Sequence, residues 1–325
     1  MKKIVFGLTI LIVSGFLISC GGGAEKAIPP SDSTSVDSSS SKILKDKGNG
    51  LFALAFNDLY FEVDVANAGR ISAFSLGAKN ILSGKEVNST NWGTSLWPSP
   101  QSAWGWPPSK ELDVKAYSLG DLTDTSIEVI SEKDSLLGFV FKKNYLAVLT
   151  DSSVLVTYTI VNNSTKKQSV APWEISRVAP GGLTLYPTGK GKKQNLLSKL
   201  MVDKNGITWF DYDSSKMNFK PSDVPKLMHD GAEGWIAQVS GNIILIKSFK
   251  DVSIEKTAPG EGEIEFYANP DKSYIEIEQQ GEYTALESGK ELQWQVKWYL
   301  RKLPEGMKAE VGSKELAEFV RATIK

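Results

Sequence analysis

The stretch Leu292-Gln293-Trp294-Gln295-Val296-Lys297-Trp298-Tyr299-Leu300 decides the fold class. Leu292, Trp294, Val296, Trp298 and Leu300 fall on one side of an extended chain, and Gln293, Gln295 and Lys297 on the other. A period of two marks a half-buried strand, because successive side chains of a pleated backbone point to opposite faces. The period recurs upstream. Phe61, Val63 and Val65 alternate with Glu62 and Asp64; Val154, Val156, Tyr158 and Ile160 share a face; Ile275 and Ile277 oppose Glu276 and Glu278. Turn-forming clusters separate these runs, among them Asn67-Ala68-Gly69, Asn162-Asn163-Ser164, Asn205-Gly206, Gly241-Asn242 and residues 260–262. Many short strands without helices between them predict an all-β chain, folded as a large antiparallel sandwich. One short C-terminal helix is expected: Ser313 can cap it, and Leu316, Phe319, Val320 and Ile324 form one apolar face.

The N-terminus carries a different signal. Lys2 and Lys3 precede an uncharged apolar run over residues 4–18, and Leu17-Ile18-Ser19-Cys20 follows, a small residue directly before cysteine. This is the layout of a secretory signal with a lipoprotein processing box. The apolar run is shorter than the roughly 20 residues a spanning helix needs. Residues 1–20 are therefore expected to be a lipoprotein signal peptide, with Cys20 the lipidated residue and a membrane its partner through that anchor. Residues 21–50 hold no Trp or Tyr and are rich in Ser, Gly, Asp and Lys, which predicts a disordered tether. Residues 51–325 remain as a single domain. The expected address is the cell envelope, extracytoplasmic and lipid-anchored, with the Gram-negative outer membrane favoured.

Composition removes several function classes. The formal net charge is −1 and arginine occurs only at positions 70, 177, 301 and 321, so no phosphate-tracking surface for nucleic acid is expected. Cys20 is the only cysteine and His229 the only histidine. A zinc–cysteine site and a multi-histidine metal centre are thereby ruled out of the expected chemistry. No phosphate loop, dinucleotide fingerprint or nucleophile elbow occurs, and no cofactor is expected.

Three constellations are left as candidates for chemistry. Residues 91–108 read NWGTSLWPSPQSAWGWPP, holding Trp92, Trp97, Trp104 and Trp106 with Gln101 among four prolines. Stiffly held indoles suit the C–H faces of sugar rings, and Gln101 suits hydroxyls; a lid packed onto the core is the competing reading. No strand pattern runs through this stretch. The segment Pro172-Trp173-Glu174-Ile175-Ser176-Arg177 places Trp173 and Arg177 on one face and Glu174 on the other. Arg177 could fork onto a ligand carboxylate or onto a structural partner. Glu276 and Glu278 stand on one face of a strand, roughly 7 Å apart along it, so they can divide acid and base roles or simply face solvent. His229 lies in the turn-like Met228-His229-Asp230-Gly231, as a bystander or a site residue.

Ala68-Gly69-Arg70-Ile71, the Trp97-Pro98-Ser99-Pro100-Gln101 loop running on to Pro108, and Pro172-Trp173-Glu174 with Arg177 together resemble a bacterial lipoprotein family. That family is related to the galactose mutarotase-like (aldose 1-epimerase-like) β-supersandwich. The resemblance covers roughly residues 59–304. Glu265-Phe266-Tyr267-Ala268-Asn269 is similar to the Q-F-Y-x-x-N strand of the enzymes, and Ile277-Glu278-Gln279-Gln280 to their L-E-T-Q strand. Leu286, Gly289 and Lys290 fall at their L-x-P-G-E turn. The resemblance implies a sugar-sized cleft on one concave sheet, with Glu278 at the place of the catalytic base and Gln280 beside it. It puts His229-Asp230 near the substrate-binding aspartate, making Asp230 a candidate ligand residue. The two histidines that the enzymes use have no counterpart here. Three functions follow as expectations: a carbohydrate-binding lipoprotein, a sugar-modifying enzyme pairing Glu278 with Glu174 or His229, and an envelope scaffold with a vestigial cleft.

Overall fold

A computed structural model describes residues 42–325 apart from Pro221. The signal peptide, Cys20 and most of the expected tether lie outside the described residues. The described chain forms two large antiparallel sheets with a short C-terminal helix. One sheet has eleven strands. Its main path runs Leu44–Gly48, Leu51–Phe56, Leu59–Asp64, Arg70–Leu76, Thr94–Ser99, Gln168–Val178, Ile275–Gln280, Ile264–Ala268 and Lys226–His229, with Lys79–Asn80 and Thr284–Leu286 pairing off the path. The second sheet has ten strands. Its order is Val202–Lys204, Ile207–Asp211, Leu183–Pro187, Trp235–Ser240, Ile243–Phe249, Glu291–Lys302, Ser153–Asn162, Phe139–Val148, Ser126–Ile130 and Ser118–Leu122.

The alternating stripes meet between the sheets. Tyr158 pairs with Trp294 and Val156 with Val296 across neighbouring strands, and the Tyr158 and Trp294 rings stack at 5.8 Å. Phe61 and Phe74 reach Trp298 from the opposite sheet, with ring centroids 6.0 and 5.9 Å away. The outer face of the ten-stranded sheet is covered by the helix Lys314–Thr323. Ser313 caps it by accepting from the Leu316 N–H at 3.2 Å, and Leu316, Ala317 and Val320 bury against Trp209, Trp235 and Tyr299.

Two local expectations are corrected. The domain begins before residue 51: Leu44–Gly48 is a strand paired with Leu51–Phe56, and the Leu44 side chain is buried. Its other four residues are exposed, as suits a sheet edge, so the run carried no periodic signal. The second correction concerns residues 91–108, through which a strand does run, Thr94–Ser99. Its proline is tolerated for a geometric reason. Pro98 and Pro172 lie opposite each other. Counting from the Arg177 N–H bond to the Gly93 carbonyl, theirs is a position where neither residue contributes to the ladder between the two strands. The Pro98 carbonyl is taken instead by the Trp104 indole N–H at 2.6 Å, and that of Pro172 by the Gly281 N–H at 2.9 Å.

Candidate functional site

The outer face of the eleven-stranded sheet carries an open cleft of about 250 Å³. That lies just under the usual range of roughly 300–1,000 Å³ for small-molecule sites, so the cleft suits one small ring. Pleat parity decides what enters it. On Gln168–Val178, Trp173 and Arg177 point toward the cleft face, and Glu174 and Ser176 toward the space between the sheets. On the next two strands Glu276 and Glu278, then Glu265 and Tyr267, share the cleft face. The edge strand Lys226–His229 adds Lys226. Trp97, Trp106, Trp173, Tyr267 and Tyr274 supply aromatic walls, Asn91, Gln101 and Asp223 polar edges, and Lys226, Glu276 and Glu278 the charged floor.

The floor is built from cross-strand pairs. Arg177 lies directly opposite Glu276 and donates through Nε to Oε1 at 2.7 Å, while its Nη1 donates to Ser95 Oγ at 2.8 Å. Its guanidinium also sits 5.1 Å from the centre of the Trp97 ring. Glu278 lies opposite Glu265, two carboxyl groups side by side that resist ionising together. Lys226 separates them, with Nζ 2.5 Å from Glu265 Oε2 and 3.8 Å from Glu278 Oε2, and it rests 4.5 Å over the Trp173 ring. The Trp173 indole N–H donates to Glu278 Oε2 at 2.8 Å, and Gln280 donates to Glu265 at 3.0 Å. Glu278 Oε1 accepts no hydrogen bond from the described residues and faces the cleft.

These surroundings set the proton affinities. Burial pushes the Glu278 carboxyl well above the usual carboxylate range; Lys226 opposes the rise, and Glu265 and Glu276 reinforce it. Glu265 is raised too, by burial first and against the pull of Lys226. For Lys226, burial works against the charge, but Glu278 and Glu265 outweigh it and its ammonium holds its proton more firmly than usual.

The candidates read from the sequence are thus divided. Glu278, Trp97, Trp106 and Gln101 line the cleft. Trp106 stands at the rim, 56% exposed, and packs edge-on to Trp97 at 5.5 Å. Trp104 and Gln280 stand one layer back, supporting Trp97 and Glu265. Arg177 does not line the opening; it positions Glu276. Trp92 is displaced from the expected wall, buried with its ring 4.8 Å from the Arg70 guanidinium. Glu174 is displaced further. It sits between the sheets, held by Lys247 of the opposite sheet at 2.7 Å, by the Tyr158 hydroxyl at 2.5 Å and by Gln279. His229 is on the inner face of its strand, with Nδ1 2.8 Å from the Tyr186 hydroxyl. Asp230 belongs to a separate pocket of about 50 Å³ with Lys190 and Glu263 and accepts from the Lys190 N–H at 2.6 Å. Neither expected partner of Glu278 therefore reaches the cleft.

Sequence reasoning missed Lys226, Tyr267, Tyr274, Asn91 and Asp223 as lining residues. Glu265 and Tyr267 were recoverable, since they alternate on the strand next to Glu276 and Glu278. Lys226 carried no local signal; only the sheet order brings it in. Among the described residues, no group of His, Cys, Asp or Glu side chains is arranged to hold a metal ion.

Comparison with known proteins agrees with this architecture. A family model described as Domain of unknown function (DUF4380) matches residues 98–301. No curated protein sequence matches the chain. Among solved structures, a putative aldose 1-epimerase from Escherichia coli K12 superposes with a TM-score of 0.54 at 11% identity, covering 78% of this chain and 99% of that one. A galactose mutarotase-like protein from Clostridium acetobutylicum gives 0.52 at 10% identity, over 78% and 95%. A galactose 1-epimerase from Lactobacillus acidophilus gives 0.51 at 11% identity, over 80% and 97%. At such identities the likeness is one of fold: the chain has a galactose mutarotase-like β-sandwich.

Proposed function

Because the chain belongs to the family described as Domain of unknown function (DUF4380), whose description assigns no activity, we propose its function from the cleft: a membrane-anchored extracytoplasmic lipoprotein that binds a carbohydrate. The observation that carries this reading is the conjunction of indoles and a buried carboxylate at one small opening. Trp106 offers an open indole at the rim, Trp97 and Trp173 line the space behind it, and Glu278, 1% exposed, turns an unpartnered oxygen toward the same space. Sugars present the complementary surface, apolar C–H patches flanked by hydroxyl donors. Trp97 and Trp173 sit on paired strands, so little ordering of those two is left to pay on binding.

Binding without turnover is favoured over the enzyme reading. Mutarotation needs a base at the anomeric hydroxyl and an acid at the ring oxygen. Glu278 is suited to take a proton, but Glu174 and His229 face away from it. The anchor is part of the proposal and rests on the Leu17-Ile18-Ser19-Cys20 box. Fatty-acid labelling of cells tests it: label on wild type and none on Cys20→Ala is the expected result, and equal label on both refutes it. Glycan-array screening of wild type beside Trp106→Ala tests the binding. A glycan retained by wild type and lost or weakened in the variant is expected; an array blank for wild type refutes the reading.

A further inference from the structure

We propose that the cleft selects a sugar bearing a free amino group over its neutral and acidic counterparts; this rests on the carbohydrate reading above and narrows it. The floor holds three carboxylates, Glu265, Glu276 and Glu278, and two cations, Arg177 and Lys226. Arg177 is committed to Glu276 at 2.7 Å. Lys226 is nearer Glu265, at 2.5 Å, than Glu278, at 3.8 Å. Glu278 is thus the carboxylate without a cation of its own. Asp223 at the edge of the cleft adds another negative group, and among the described lining residues Lys226 is the only basic one.

Ionising a buried carboxyl group without a matching charge is costly, and Glu278 meets that cost by keeping its proton up to about pH 8; a cation brought by a ligand would let it ionise. The protein supplies Glu278 Oε2 with the Trp173 N–H and leaves Oε1 facing the cleft. A ligand ammonium there would be the third cation for the third carboxylate. Aromatic walls favour the same charge, because ring faces are electron-rich, and Lys226 Nζ already lies 4.5 Å over Trp173. The firm hold of Lys226 on its proton reports the same negative field from within the site. A uronate carboxylate would meet that field with the wrong sign, and an N-acetyl group would bring no charge.

Calorimetry on the full chain in detergent decides it. The probes are glucosamine, galactosamine and mannosamine, each beside its neutral hexose, its N-acetyl derivative and its uronic acid. An amino sugar is expected to bind about tenfold or more tighter than its neutral counterpart, the scale of one charge-assisted hydrogen bond. Glu278→Gln is expected to erase that preference, so that in the variant the amino sugar and its neutral counterpart bind with equal affinity. Equal affinity for amino and neutral sugars in wild type, tighter binding of a uronate, or a preference that survives in folded Glu278→Gln overturns this inference and leaves the carbohydrate reading standing. Failure of every sugar to bind overturns both.

Discussion

Glu174 and Glu278 are two buried carboxylates on adjacent strands, and their surroundings separate stability from function. Glu174 is fully matched, by Lys247, Tyr158 and Gln279 between the sheets. Removing one side of such a buried pair leaves an uncompensated charge, a loss of about 3–5 kcal/mol. Lys247→Ala is expected to lower stability on that scale in urea denaturation, and a change under 1 kcal/mol would show the pair to be dispensable. Glu278 stands beside Glu265 and keeps one oxygen unpartnered. Glu278→Gln preserves the acceptor for the Trp173 N–H and removes a carboxyl group that ionises more readily in the unfolded chain than in the fold. The melting temperature of that variant is expected to rise by about 2 °C or more; a fall would mean that the carboxylate serves the fold. The two roles could not be told apart in the sequence. Trp173-Glu174-Ile175-Ser176-Arg177 reverses the usual rule, with Trp173 and Arg177 turned to the cleft and Glu174 and Ser176 to the core. Alternation revealed that two faces exist but not which one met the partner sheet.

At the level of elements, legibility followed the strength of the period. The Glu291–Lys302 and Ser153–Asn162 strands pack one apolar face into the core, and their alternation stood out. The C-terminal helix was legible for a like reason, a capping serine ahead of apolar residues spaced three and four apart. Ser313→Ala is expected to cost about 1 kcal/mol, the usual worth of an N-cap, and an unchanged unfolding midpoint would deny the cap that role. Leu44–Gly48 was illegible because an edge strand buries only Leu44. A fragment beginning at Leu51 is nevertheless expected to be less stable than one beginning at Lys42, by about 2 kcal/mol for the lost leucine burial. Identical melting temperatures for the two would contradict that strand's contribution. Thr94–Ser99 was hidden by prolines whose placement is harmless only in this register.

Over the described residues, alternating strand-length runs made the sandwich readable, whereas the cleft depended on which distant strands became neighbours. Lys226 and Glu278 lie far apart in sequence, and the sheet order alone brings them within 3.8 Å. The same order buries His229 against Tyr186. Burial, with the nearby Lys193 charge, lowers its pKa to about 4. The unfolded chain binds that proton near pH 6.5, so it holds more protons than the native state between about pH 4 and 6.5. His229's share of stability is complete above pH 6.5 and is lost as the pH falls toward 4. Thermal melts across that window are expected to fall more steeply for wild type than for His229→Gln; parallel slopes would deny the histidine this part. The central claim is that the cleft on the eleven-stranded sheet is a sugar site. It is tested most directly by following all nine tryptophan indole N–H resonances during titration with the glycan that binds tightest on the array. The signals of Trp97, Trp106 and Trp173 are expected to move, and those of Trp92, Trp209, Trp235, Trp294 and Trp298 to stay. Movement confined to the second group, with the cleft indoles unmoved at saturation, would contradict the account.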